Sequence, residues 1–84
     1  MNPSMEQLEA FVAAAAQGSF SAAARMLGKA QSAVSTQIAN LEIDLGVELF
    51  DRAGRNPVLT PAGARLLPEA RVILDRREHL LGVA

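Results

Sequence analysis

Apolar positions in the first third of the chain recur at helical spacing and stop at glycines. Five of them lie on one side of a predicted helix: Met5, Leu8, Phe11, Val12 and Ala15. We expect this helix to end at Gly18 and the residues before Met5 to fray. A short second helix, "SAAARML", is predicted next, with Ser19 or Ser21 as its N-cap and Gly28 at its end.

The third predicted helix, from about Gln31 to Asp44 or Leu45, has two contrasting sides. At 100° per residue, its larger apolar side chains share a narrow arc: Val34, Ile38, Leu41 and Leu45. The opposite side carries small, hydroxyl or apolar residues: Ser32, Ser35, Thr36, Ala39 and Ile43. This outer side lacks the lysines and glutamates that usually cover a solvent-facing helix, so another surface can approach it closely.

Two short extended segments follow Gly46 and predict a small hairpin with a basic tip. "VELF" at 47–50 and "VLT" at 58–60 flank the loop "DRAGRNP". Thr60 and Pro61 then predict a helix start, and the segment 61–84 reads as one helix that Pro68 kinks without breaking. Two sets of apolar residues repeat every seventh position in it: Leu66, Ile73 and Leu80, and Leu67, Leu74 and Leu81.

This order of elements predicts a mainly α fold, a winged helix-turn-helix followed by a long linker helix. We expect residues 1–60 to form the DNA-binding domain and residues 61–84 to dimerise. A helix-turn-helix needs a small residue, a turn residue that tolerates positive φ and a docking apolar residue, and Ala24, Gly28 and Val34 occupy these positions. Any alanine-rich helix pair joined by glycine shows the same spacing, but the hairpin directly after it favours the true motif.

Composition narrows the class of protein. Half of the 84 residues are hydrophobic and 4% are aromatic, which favours closely packed helices. The absence of cysteine excludes disulfides and thiolate metal sites, and no signal peptide or apolar run of about 18 residues is present, so we expect a cytoplasmic protein. The single histidine, His79, has no partner signature. We therefore expect no catalysis, no metal and no cofactor.

Net charge alone does not identify the partner. A value of −1 argues against nucleic acid, yet no acidic residue occurs between Glu9 and Glu42, a span that includes Arg25 and Lys29. A chain that is neutral overall can still present one positive face. We expect Lys29 and Arg25 to contact phosphates, with simple solvation as the alternative.

The outer side of the third helix suits the major groove of DNA. Hydroxyls of Ser32, Ser35 and Thr36 can donate to phosphates and to base acceptors, and the Gln31 amide can pair with adenine. The alternative is that these small residues pack beneath another helix or subunit, for which Ser and Thr are poor choices.

Two arginines mark the hairpin tip as a second contact. Arg55 is predicted to reach the flanking minor groove or its phosphates. Arg52 has two open interpretations, the same DNA contact or an ion pair with Asp51 or Glu48.

The segment from Gly18 to Gly63 resembles the DNA-binding half of LysR-type transcriptional regulators. The similarity lies in "GSFSAAA", "QSAVSTQI", "LE" before "LG" and "LF", the Arg-x-x-Arg of the hairpin, and "LTPAG". It implies a linker helix that pairs antiparallel with its twin and binding of an interrupted palindrome upstream of promoters. It places DNA contacts on Gln31, Ser32, Ser35 and Thr36, with Arg52, Arg55 and Asn56 in the wing.

The chain departs from this family at two positions. Many members carry Arg or Gln where Thr36 stands, and Ser or Thr often caps the third helix where Ala30 stands. Members also continue into a domain that binds a small-molecule inducer. We expect this chain to be an isolated DNA-binding fragment or a naturally short protein, without inducer response.

The predicted function is that of a homodimeric, sequence-specific DNA-binding domain of a bacterial transcription regulator. Double-stranded DNA and a second copy are the expected partners, with a tetramer left open for a full-length protein. The predicted dimer contacts are the apolar residues of the last helix: Leu66, Leu67, Ile73, Leu74, Leu80 and Leu81. Two alternatives stay open, a winged helix that binds protein and the DNA-binding domain of a molybdate-responsive regulator.

Overall fold

A computed structural model describes residues 2–84 as four helices and a two-stranded antiparallel hairpin. The elements in chain order are α1 (Met5–Gln17), α2 (Phe20–Leu27), α3 (Gln31–Leu45), β1 (Phe50–Asp51), β2 (Val58–Leu59) and α4 (Pro61–Val83). This order confirms the predicted winged helix-turn-helix with a long helix after it. We call residues 50–59 the wing.

The strands of the wing are shorter than the extended segments in the sequence suggested. Phe50 pairs with Leu59, and Asp51 with Val58. The predicted strand "VELF" contributes Phe50 alone, because the backbone N–H groups of Leu49 and Phe50 donate to the Glu42 carboxylate of α3 instead of to a neighbouring strand. Sequence periodicity does not reveal this competition between a side chain and a strand.

Local capping sets the helix boundaries. Gly18, Gly28 and Gly46 end the first three helices with φ of 67°, 67° and 72°, as predicted. Ser19 caps α2 by accepting from the Ala22 N–H, so α2 begins at Phe20.

The predicted fraying before α1 is wrong for Ser4. The Ser4 hydroxyl and the Gln7 side chain form a reciprocal capping box with each other's backbone N–H groups. Met1 lies outside the described residues.

Helix α1 forms the centre of the core and packs against the other three helices. The buried apolar residues are Leu8, Ala10, Phe11, Ala13, Ala14, Ala23, Ala24, Val34, Ile38, Leu41, Leu49, Phe50, Leu67 and Ala70. Three aromatic rings tie the wing to this core. Phe50 makes edge-to-face contacts with Phe11 at 5.8 Å and with Phe20 at 5.5 Å between ring centroids.

The turn between α2 and α3 has the predicted construction. Ala24 is buried where the helices cross, and its carbonyl accepts from the Lys29 N–H at 2.9 Å. Gly28 supplies the left-handed turn, and Val34 is fully buried. These contacts confirm the roles predicted for Ala24, Gly28 and Val34.

Helix α4 starts directly after the wing and lies against α1. The Thr60 hydroxyl accepts from the Gly63 N–H at 3.0 Å, which confirms the predicted cap, and the helix continues unbroken through Pro68. Leu67 and Ala70 are buried, and the Arg77 guanidinium reaches Glu9 of α1 at 3.3 Å. None of the helices described here is long and apolar enough to cross a membrane.

Gly63 of α4 lies close to Leu49, the residue before the wing, and to Leu59 within the wing. A Cβ at this position would overlap the backbone carbonyl oxygen of Leu49 and lie 3.0 Å from Leu59 Cδ2. We therefore expect Gly63→Ala to lower the free energy of unfolding by about 1–3 kcal/mol, as overpacking of a core does. Thermal unfolding followed by circular dichroism measures this change.

Gly82→Ala is the matched control, because a Cβ there meets open space within the same helix. Alanine has the higher helix propensity, so this variant is expected to keep or raise the stability by up to about 1 kcal/mol. Equal stability of the two variants would contradict the close approach at Gly63.

Candidate nucleic-acid interface

The outer side of α3 is accessible to solvent, and its hydroxyl side chains make no hydrogen bond or ion pair among the described residues. Ser32 and Thr36 are exposed and Ser35 is half-buried, whereas Val34, Ile38 and Leu41 on the other side are fully buried. We call Ser32, Ser35 and Thr36 the hydroxyl face. Among the described residues, no side-chain hydrogen bond or ion pair occupies this face. Its hydroxyls are therefore available to an external partner.

The predicted apolar arc of α3 is one residue too long. Leu45 is 37% exposed, unlike the other three members of the arc. It occupies the last turn of α3 and, with Met5 and Leu8 of α1, lines a groove described below. Ile43, on the outer side, is also exposed.

The N-terminus of α3 lacks a side-chain cap. Ala30 is the N-cap residue, with extended φ and ψ of −71° and 148°, and it makes no cap hydrogen bond. The sequence had suggested that another residue would replace the cap, but no side chain does so at this helix end in the described structure. The exposed N–H groups of Gln31 and Ser32, at the positive end of the helix dipole, are left for an anion such as a phosphate.

The predicted cationic contacts differ in how free they are. The Lys29 Nζ lies 3.5 Å from the Glu6 carboxylate, and Arg25 donates to the Ser21 hydroxyl, so neither is simply solvated. At the wing tip, Arg55 and Asn56 are exposed, and Arg55 has no ion pair among residues 2–84.

Arg52 has a side chain that is 44% exposed, and it contacts two residues that the sequence did not suggest as partners. Its Nη2 donates to Glu42 Oε1 at 3.0 Å, and its guanidinium lies 5.2 Å from the centre of the Phe20 ring. The ion-pair partner is thus Glu42, not Asp51 or Glu48. Asp51 instead accepts from the Ala53 N–H within the wing.

The two heptad series of α4 have different environments. The inner seam, Leu67, Leu74 and Leu81, starts against α1, where Leu67 is a core residue of its own chain and Leu74 is partly buried. Leu67 is therefore removed from the predicted dimer contacts. The outer seam is Leu66, Ile73 and Leu80, of which Leu66 is partly buried and the other two are 43% and 68% exposed.

The inner seam is exposed at its last member. Leu81 is 59% exposed, and all residues from Glu78 onward are exposed. The end of α4 thus carries two unpaired leucines, Leu80 and Leu81.

An apolar groove lies between the start of α1 and the outer seam. Its apolar lining includes Met5, Leu8, Leu45, Leu66, Ala70 and Ile73. Met5 and Leu45 are 42% and 37% exposed, so a surface for another apolar element exists on the described chain.

Comparison with known proteins identifies the family. Residues 5–64 match the family described as "Bacterial regulatory helix-turn-helix protein, lysR family". The chain belongs to the lysR family. Because the match includes the hydroxyl face and the wing, it favours LysR regulators over the molybdate-responsive alternative.

Individual LysR relatives and structures agree with this assignment. The transcriptional regulator AceR of Acinetobacter baumannii is 54% identical over 96% of this chain and 25% of its own length. The oxidized form of OxyR from Corynebacterium glutamicum is 39% identical with a TM-score of 0.93, over 98% of this chain and 26% of that one. A complex of the BenM DNA-binding domain with catB site DNA is 34% identical with a TM-score of 0.91, over 95% and 90%. The chain thus spans about a quarter of the length of AceR and OxyR.

Sequence reasoning missed three residues that shape this LysR domain. Glu42 appeared only as the end of the acid-free span, although it binds both the backbone at the start of the wing and Arg52. Gln7 is buried and donates from Nε2 to Asp44 at 3.3 Å. Gly63 appeared only within a family motif. Each of these residues contacts a segment distant from it in the chain. Such contacts give no periodic signal in the sequence, so only the three-dimensional structure reveals them.

The missing cap at Ala30 makes a testable prediction. Ala30→Ser supplies a hydroxyl that accepts from an N–H of the first turn of α3, so we expect the free energy of unfolding to rise by about 1 kcal/mol. For a domain of this size the midpoint of thermal unfolding is expected to rise by about 4–8 °C.

Ala16→Ser, in the exposed last turn of α1, is the matched control. Serine inside a helix has the lower propensity, so this variant is expected to lose a few tenths of a kcal/mol. A loss of stability in both variants would show that the N-terminus of α3 gains nothing from a cap.

Proposed function

We propose that this chain binds a DNA duplex as a homodimer, with α3 in the major groove and the wing on the flanking backbone or minor groove. The observation that supports it most is the hydroxyl face, which is exposed, unbonded and free of acids on a helix whose other side is buried. Approach to base edges within a groove about 12 Å wide requires such a surface. The similar BenM domain was crystallised with DNA.

Each predicted contact has a distinct proposed role. Gln31 reads base edges, and Ser32, Ser35 and Thr36 donate to bases or phosphates. The N–H groups at the start of α3 bind a phosphate. Lys29 leaves Glu6 to bind a phosphate. This costs little free energy, because the Glu6 side chain is 66% exposed and an ion pair at such a site is weak. Arg55 and Asn56 contact the DNA beside the groove.

The dimer follows from the unpaired leucines and the groove. An antiparallel α4 of a second copy brings its Leu80 towards Leu66 and Ile73 of the first, since their repeat of seven residues is the same in both chains. Its chain end then meets the groove between α1 and the outer seam. Residues 1–60 thus bind DNA and residues 61–84 dimerise, although the first turns of α4 also complete the core.

The chain acts by binding, and not by catalysis, in this proposal. The similar AceR is a transcriptional regulator. We propose that this chain likewise works on DNA, in the cytoplasm and without a cofactor. The alternative function is binding of a protein by the same winged helix. It predicts DNA affinity that is absent or insensitive to salt.

Selection of bound duplexes from a random pool tests the proposal. We expect enrichment of an interrupted palindrome and an affinity that falls steeply as salt rises, because phosphate contacts release counterions. Ser35→Glu is expected to weaken binding of the enriched duplex about tenfold or more, since it places a negative charge on the hydroxyl face.

Gln37→Glu is the matched control for Ser35→Glu. It adds the same charge to the same helix, two residues and therefore about 200° away from Ser35. Circular dichroism establishes that both variants are folded. Equal binding by the two variants would contradict the proposed orientation of α3, and no enrichment by the parent chain would contradict DNA binding.

The outer seam is tested by the oligomeric state. Ile73→Glu and Leu80→Glu are expected to convert a dimer into a monomer at micromolar concentration in sedimentation equilibrium, because each puts a charge into an apolar interface. Ala64→Glu, nine residues from Ile73 and hence on the opposite side of α4, is expected to stay dimeric. A monomeric parent chain, or dimeric seam variants, would refute this interface.

A further inference from the structure

The Glu42 carboxylate connects the recognition helix to the wing. Its Oε2 accepts from the Leu49 N–H at 2.8 Å and from the Phe50 N–H at 3.4 Å, and its Oε1 accepts from Arg52 at 3.0 Å. The Glu42 side chain is 14% exposed and lies on the fourth turn of α3. One side chain therefore holds both the start of β1 and the first residue after it.

Arg52 has a second contact that opposes its release. Its guanidinium lies over the ring of Phe20, which also packs edge-to-face on Phe50. Residues of α2 and α3 thus both contact this guanidinium, whose side chain remains 44% exposed. By contrast, Arg55 at the wing tip is exposed and has no ion pair among the described residues.

We infer that Glu42 is a positioning residue for DNA binding, which holds the wing at a set distance from α3 through Arg52 and the β1 backbone. Arg52 is then part of this internal connection and is not a phosphate ligand, so Arg55 is the arginine of the wing that binds a phosphate. The inference rests on the proposed DNA binding and changes the role that the family resemblance implies for Arg52.

Electrostatics and positioning predict opposite effects when Glu42 is neutralised. Removal of a negative charge from a DNA-binding protein strengthens its attraction to phosphates. Loss of the connection weakens binding instead, because the wing no longer holds the orientation that its contact needs. The sign of the change therefore separates the two effects.

Glu42→Gln is the informative substitution. The amide oxygen of Gln still accepts from the Leu49 and Phe50 N–H groups, whereas its NH2 group faces the Arg52 guanidinium, donor against donor. We expect roughly tenfold weaker binding of the duplex enriched by selection, measured by fluorescence anisotropy, as for loss of one charged hydrogen bond. Hydroxyl-radical footprinting is expected to show lost protection at the flanks and retained protection in the major-groove half-sites.

Glu48→Gln is the matched control for the charge. Glu48 is exposed, lies close to Glu42 and uses its backbone carbonyl, not its carboxylate, in its hydrogen bond from Thr60. This variant is expected to bind as tightly as the parent chain or more tightly, with an unchanged footprint. Binding by Glu42→Gln that is as tight as that of Glu48→Gln, with flank protection intact, would overturn the positioning role.

Substitution of the arginines tests the same connection from its other end. Arg52→Gln is expected to weaken binding as Glu42→Gln does, without changing the slope of log K against log salt. Arg55→Gln is expected to reduce that slope by about one phosphate contact in each protomer. A slope reduced equally by Arg52→Gln would show that Arg52 leaves Glu42 for a phosphate, which overturns the inference.

Two further observations keep the outcomes distinct. The double variant Glu42→Gln/Arg52→Gln is expected to bind no more weakly than either single variant, because each substitution removes the same connection between α3 and the wing. If circular dichroism shows that Glu42→Gln is unfolded, the Arg52→Gln variant tests the inference instead. Its slope of log K against log salt shows whether Arg52 contacts a phosphate. A parent chain without salt-dependent binding would overturn the proposed function and this role together, whereas normal parent binding with unaffected variants overturns the role alone.

Discussion

Burial of Val34, Ile38 and Leu41 against α1 and α2 is the constraint on which the rest of this molecule depends. Each of these side chains is fully buried, and burial of one such side chain stabilises a fold by about 1.5–3 kcal/mol. Rotation of α3 about its axis would expose all three. The core therefore determines which side of α3 faces outward, and the hydroxyl face obtains its orientation from apolar residues that never meet a partner.

The same core joins α3, the wing and α4 into one unit. Phe50 packs on Phe11 of α1, and Leu67 of α4 is buried in the same cluster. Thr60 is the single residue between β2 and α4, and its hydroxyl donates to the Glu48 carbonyl before β1 and accepts from the Gly63 N–H of α4. In a dimer built on α4, the separation of the two recognition helices follows from this packing, and with it the spacing of the half-sites.

Acidic residues pair with basic ones in this domain, whose chain has a net charge of −1. Glu6 neighbours Lys29, and Glu42 holds Arg52. Each pair adds little stability at an exposed site, but it orders a long side chain that would otherwise move. Shape and hydrogen bonding thus carry more of the proposed recognition than bulk charge, in keeping with a helix that offers hydroxyls.

Local chemistry made the element order predictable: glycines at positive φ, the caps at Ser19 and Thr60, and the spacing of Val34 and Ile38 all act within a few residues, so a single sequence reveals them. The family resemblance rests on the same segment. Contacts between distant residues decided the rest. Leu67 and Leu80 both belong to a heptad series, yet Leu67 is buried in the core and Leu80 is 68% exposed. Arg52 follows two acids, Glu48 and Asp51, in sequence but pairs with Glu42, ten residues away, because the hairpin folds back on α3. Periodicity states which side a residue occupies, and only the tertiary structure decides what lies against that side.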